Sequence, residues 1–151
     1  MGGVIVRDTI HDAFMTGPEH VVELTHGYTY SAHPLACAAG LATLDIYRDE
    51  KLFERSKKLE PKFADAVMTL KGAPNVLDIR TVGLTAGIDL APRADLPGKR
   101  GYDAMVSAFH DNDLMLRIAG DTLALTPPLI VSEDQIGEIV GKVAKVIRAV
   151  A

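Results

Sequence analysis

Cysteine is almost missing from this 151-residue chain. Cys37 stands alone, so no disulfide framework forms within it. Its apolar neighbours suggest a buried, unreactive thiol kept reduced, and hence a cytoplasmic protein. A basic excess is also lacking. The formal net charge is −4, and the pair Lys57-Lys58 is balanced by Glu54 and Glu60, which excludes the electrostatic footprint of a nucleic-acid binder. No run is apolar enough to span a membrane: Leu24 to Leu44 has no Asp, Glu, Lys or Arg, but His26, Gly27, His33 and Pro34 interrupt it. Gly2-Gly3 follow Met1 with no basic stretch, so no signal peptide is expected. His11, His20 and His110 have no metal-ligand spacing, and no metal site is expected. There are no internal repeats.

What is present is ordinary globular composition, 48% hydrophobic and 24% charged. The length suits one domain, or one plus a piece of another. Val4-Ile5-Val6 reads as a short strand. Asp8 is placed to cap a short helix with Ile10, Ala13 and Phe14 inward, ended by Gly17-Pro18. From about Lys51 to Leu70, Leu52, Leu59, Phe63, Val67 and Leu70 recur at helical steps opposite a charged face. The period then changes. Val76 to Arg80 and Ala86 to Leu90 read as antiparallel strands. A loop follows to Gly101, then a short helix through Tyr102, Met105 and Phe109. Leu114 to Ile118 and Thr122 to Thr126 read as strands about a Gly120-Asp121 turn, ended by Pro127-Pro128. Ser132 and Gln135 form a capping box that opens a last amphipathic helix. Residues 51–151 thus read as an α+β layer of helix, two strands, helix, two strands, helix. They are expected to hold a self-sufficient core. Residues 1–50 are not.

The stretch around which the chain is organised is HGYTYSAHPLACAAG, His26 to Gly40. A polar run of His26, Tyr28, Thr29, Tyr30 and Ser31 feeds Pro34, a residue suited to the first turn of a helix. Pro34 also biases His33 toward extended backbone. The Ala/Leu/Gly helix that follows carries no charge until Asp45. Hydroxyls before a helix start usually serve only to cap it. Hydroxyls and amides there also make a natural anion site.

The stretch HGYTYSAHPLACAAGLATL resembles the segment after the cofactor lysine in class III pyridoxal-phosphate aminotransferases, the ω-type group. Its His33-Pro34 form is most similar to β-alanine:pyruvate aminotransferases. LMLRIAGDTLALTPPLIV, Leu114 to Val131, resembles the C-terminal strand pair of the same family. The resemblance implies a fold-type I, α/β enzyme of which this is the C-terminal part. Residues 1–50 would end the large cofactor-binding domain, and residues 51–151 would be the small α+β domain that closes over the substrate.

By position, Tyr28 and Thr29 match residues that reach across the family's dimer to the cofactor phosphate. Arg117 matches the arginine that pairs with a substrate carboxylate, a task suited to its planar fork. The plainer readings are a helix-capping threonine and a surface arginine. No catalytic residue is transferred. The family's Schiff-base lysine and the aspartate at the pyridine nitrogen lie upstream, and the first lysine here, Lys51, follows the cofactor loop. The implied protein moves an amino group from an amine or β-amino acid to pyruvate through pyridoxal phosphate. This chain would be a fragment of it, inactive and cofactor-free alone, that forms a homodimer or pairs with a missing N-terminal segment. Two alternatives stand: a non-catalytic binding or assembly module, and a fragment of an ornithine- or 4-aminobutyrate-type enzyme of the same class.

Overall fold

The computed structural model describes residues 2–21 and 29–151. The chain divides into two compact units, residues 1–50 and 51–151.

The first unit holds α1 (Asp8–Phe14), a 3-10 turn at Glu19–Val21 and α2 (Pro34–Asp49). Pro34 opens α2, and His33 before it is extended at φ −57° and ψ 122°. A proline ring restricts its predecessor in this way. Four expectations fail here. Val4 to Val6 form no strand, and Ile5 is fully exposed. A β-branched run needs a neighbouring ladder, and the described residues of this unit contain no strand. Asp8 is not the cap of α1. Arg7 holds that position without a side-chain bond, and Asp8 lies in the first turn, where its charge suits the helix dipole. Neither α1 nor α2 buries any residue, so Ile10 and Phe14 do not face a core, and Cys37 is only half-buried.

The second unit builds a layer of helices on one sheet. Its elements are α3 (Leu52–Met68), β1 (Val76–Val82), β2 (Thr85–Leu90), α4 (Lys99–Asn112), β3 (Arg117–Ala119), β4 (Thr122–Leu125) and α5 (Glu133–Ala149). Lys51, left-handed at φ 51°, separates α2 from α3. Pro61 sits inside α3, so one carbonyl a turn earlier lacks its usual helical donor. The four strands lie in the order β1-β2-β4-β3, every neighbouring pair antiparallel. Both hairpins turn on two residues with glycine first, Gly83 at φ 55° and Gly120 at φ 60°. That placement suits the tight turns that match strand twist.

Strand alternation sorts the sheet into two faces. Ala86, Ile88, Leu90, Leu123 and Leu125 are buried against the helices. Phe63 and Val67 of α3, Ala104 and Ala108 of α4, and Val143, Val146 and Ile147 of α5 complete the core. Each Leu, Ile, Val or Phe among them contributes about 1.5–3 kcal/mol when fully removed from water, and each alanine less. The other face carries Asp78 and Arg80, Gly87 and Asp89, Thr122 and Ala124, and Arg117. The register slips between Val76 and Asp78, which leaves Leu77 exposed on the edge strand.

Several boundaries shift by a residue or two, and two by three residues. α4 begins at Lys99 rather than Tyr102, and β3 begins at Arg117 rather than Leu114. Leu114 to Leu116 run on without ladder pairing because the amide of Leu114 bonds back to the Ala108 carbonyl of α4 at 2.9 Å.

Candidate functional site

Arg117 opens β3, a three-residue edge strand that pairs only with β4. Its cross-strand partner is Ala124, a small residue that leaves the guanidinium space. Arg117 borders an apolar groove of about 650 Å³ whose walls include Met105, Leu114, Leu116, Thr126 and Pro127. Among the described residues its side chain takes part in no hydrogen bond or ion pair, as is also true of Arg148, whereas Arg55, Arg80, Arg93 and Arg100 of this unit are engaged. Arg55 donates to the Leu129 carbonyl at 2.5 Å and the Val131 carbonyl at 2.6 Å, which ties the segment after Pro128 to α3. Arg100 donates to the carbonyls of Ala91 and Val150.

Arg80 is the instructive contrast. Its two terminal nitrogens meet Asp89 at 2.5 Å and 3.0 Å, a forked geometry, and one also lies 3.4 Å from Asp78. Thr122 donates its hydroxyl to Asp89 at 2.7 Å. The Arg80 bond and then the Thr122 bond hold the Asp89 carboxyl below the usual aspartate range, while Asp89 raises Arg80 further. Arg80 is therefore a neutralised strut. Asp103 is likewise lowered, first by its bond from Lys99 and also by Arg93, and ties the loop after β2 to α4.

The turn after Arg117 is seated on α4. The two Asp121 carboxylate oxygens accept the amides of Gly98 at 2.6 Å and Gly101 at 2.9 Å. Gly101 is packed so closely that a Cβ there would lie 2.1 Å from the Gly120 carbonyl oxygen. Sequence reading identified Gly120-Asp121 as a turn but missed this seat, because its partners lie about twenty residues earlier.

Of the other expected site residues, Thr29 lies in an exposed turn before α2. The His33 amide closes that turn onto the Tyr30 carbonyl at 3.3 Å. Tyr28 and His26 lie outside the described residues. Thr29 and Arg117 belong to different units. The first turn of α2 contains no acidic residue, and its cap residue, His33, makes no side-chain bond there. Among the described residues no group of His, Cys, Asp and Glu could hold a metal, and no helix is long and apolar enough to cross a membrane.

Comparison with known proteins gives this geometry a context. The family Aminotransferase class-III matches residues 1–147. An ω-aminotransferase of Caulobacter vibrioides is 47% identical over 97% of this chain and 33% of its own length. A β-alanine–pyruvate aminotransferase of Pseudomonas aeruginosa is 40% identical over 100% of this chain and 34% of its own. The crystal structure of the ω-transaminase of Pseudomonas jessenii in complex with PMP superposes with a TM-score of 0.77 at 30% identity, over 87% of this chain and 30% of that one. The chain spans about one third of the length of the curated relatives it matches.

Proposed function

Since the chain belongs to the class III aminotransferases, we propose that it supplies the carboxylate-binding arginine and part of the phosphate site of an enzyme that moves an amino group from an amine or β-amino acid to pyruvate. The observation that carries this reading is Arg117: a guanidinium with no partner among the described residues, at the rim of an apolar groove. Such a fork holds one carboxylate by two charge-assisted bonds. The groove beside it suits the hydrocarbon part of a substrate.

Pyridoxal phosphate, when bound, supplies the electron sink that makes the substrate carbon acidic. The residues here fit its phosphate end. Thr29 offers a hydroxyl, the first turn of α2 has no acid to repel an anion, and no Asp or Glu occurs between Thr29 and Leu44. Thr29, with Tyr28, would hold that phosphate across a dimer. In the same reading residues 1–50 close the cofactor domain, and residues 51–151 form the small domain that presents Arg117.

In this reading no lysine of the chain takes the reactive role. Residues 1–50 contain none, Lys62, Lys99 and Lys142 are paired with Glu133, Asp103 and Glu138, and Lys51 only precedes α3. The reactive lysine would then come from residues beyond these 151, and the chain by itself would not transaminate.

The test joins residues 1–151 to the two thirds of the C. vibrioides enzyme that lie outside the match. Transfer from a simple amine to pyruvate, lost with pyruvate but far less with the amine on Arg117→Ala, supports the reading. A folded, cofactor-loaded fusion without turnover would favour the second reading, a binding or assembly module, which the self-contained core of residues 51–151 supports. Turnover confined to ornithine or 4-aminobutyrate as donor would move the chain to that branch of the class.

A further inference from the structure

We propose that Asp121 is the positioning residue for Arg117, an inference that rests on the carboxylate-binding reading of Arg117. The physical problem is local. A three-residue edge strand has few bonds to fix its direction, and β3 pairs on one side only. An arginine that must meet a carboxylate in a forked geometry needs its backbone held to a fraction of an ångström.

The turn that follows β3 supplies that hold. Gly98 is the N-cap of α4, and Gly101 lies three residues on. These are the two positions that a capping box serves with local side chains, and both are glycine. The Asp121 carboxylate does the work of both missing side chains, accepting the Gly98 and Gly101 amides at 2.6 Å and 2.9 Å. Its negative charge also sits at the positive end of a 14-residue helix. The Asp121 carbonyl accepts the Leu90 amide at 3.1 Å, so the same residue is bound to β2 as well. Gly101 lets the turn approach until only a residue without a Cβ fits. From this seat the chain runs back through Gly120, Ala119 and Ile118 to Arg117. The hairpin is thus pinned at its tip to a helix packed on the core through Ala104 and Ala108, and its other end carries the cation.

The experiment uses the fused enzyme described above, with Asp121→Ala, Asp121→Asn, Arg117→Ala and the double variant Asp121→Ala/Arg117→Ala. Asp121→Ala should raise the KM for pyruvate about tenfold, with kcat at saturating pyruvate and the half-reaction with a simple amine changed much less. Asp121→Asn keeps one acceptor oxygen and should fall between Asp121→Ala and the parent. The double variant should be no worse for pyruvate than Arg117→Ala alone, because a misplaced arginine and a missing one lose the same contact. Equal losses for amine and pyruvate, or a full additional loss in the double variant, would make Asp121 a general stabiliser and overturn the inference. If Asp121→Ala does not fold, Asp121→Asn decides by the same split between the two half-reactions. Failure of the carboxylate reading is read separately: an unchanged pyruvate KM in Arg117→Ala removes it, and the inference with it.

Discussion

Arg80 and Arg117 stand on one cross-strand row of the sheet, separated by Gly87 and Ala124. Three strand spacings put their Cα atoms roughly 14 Å apart. Both lie on the face away from the core, yet Arg80 is gripped by Asp89 and Asp78 while Arg117 has no such partner among the described residues. A conserved charge need not be assumed to assign them different tasks. The carboxylates beside Arg80 already satisfy it, and an incoming carboxylate gains most at Arg117.

Replacement of Arg117 by alanine in the fused enzyme is expected to cost about 1.5–3 kcal/mol of pyruvate binding, the range for a hydrogen bond to a charged group. That is roughly a tenfold to hundredfold weaker affinity. Separate stopped-flow measurement of the two half-reactions checks it. Equal losses for pyruvate and a simple amine would show that Arg117 serves the fold instead.

Stability in acid should depend on the Arg80–Asp89 pair. The folded pKa of Asp89 lies below the ordinary value of 3.8, so its contribution is complete above that value and is lost as pH falls through the folded one. Asp103 has the same sign. Urea unfolding of the chain at pH steps from about 6 to about 2 should show a steeper acid loss for the parent than for Asp89→Asn. Parallel curves would mean that the pair is too exposed to matter.

Glycine replacements should split by location. Gly101→Ala forces a backbone collision at the Gly120 carbonyl and should destabilise by at least the roughly 1–3 kcal/mol typical of overpacking. Gly137 and Gly141 lie inside α5 with nothing within 4 Å of an added Cβ. Alanine at either should stabilise by roughly 0.5–1 kcal/mol. Denaturant midpoints of the purified chain decide both, and a stabilising Gly101→Ala would contradict the packing described at that turn.

Amide exchange should be faster in α2 than in α5. α2 buries no residue, whereas Val143, Val146 and Ile147 of α5 are fully inaccessible. Protection follows buried contact rather than helix length. The two helices are 16 and 17 residues long, so length cannot explain a difference. Equal protection in a monomeric sample would show that α2 is packed more firmly than its exposure indicates.

The order of elements in residues 51–151 was legible because each rests on local signals: helical periodicity in Leu59, Phe63 and Val67, alternation in Ala86, Ile88 and Leu90, and glycine-first turns at Gly83 and Gly120. The capping box of α5 was legible for the same reason. Ser132 and Gln135 lie on one short stretch, and both of its bonds are present. The equivalent device of α4 was invisible, because its acceptor, Asp121, comes from another hairpin. The pairing of β2 with β4 was invisible too, since nothing local says that two hairpins share one sheet. Val4 to Val6 failed for the opposite reason: the local signal was sound, but no strand among the described residues is there to receive it. Of the candidate site, Arg117 was found through its surrounding motif, and its lack of a partner among the described residues emerged only from the structure.

The slip at Leu77 has a consequence for how this sheet behaves in a crowded solution. Free strand edges invite a second chain to add its own strand, and long flat edges do so best. Here one edge is bent at Leu77 and carries Asp78 and Arg80, and the other is only three residues long. Neither offers the uninterrupted ladder that template-driven aggregation needs. Concentration-dependent assembly of this chain should therefore leave its strand content unchanged and proceed through side-chain surfaces, among them the exposed Leu35, Leu41 and Leu44 of α2.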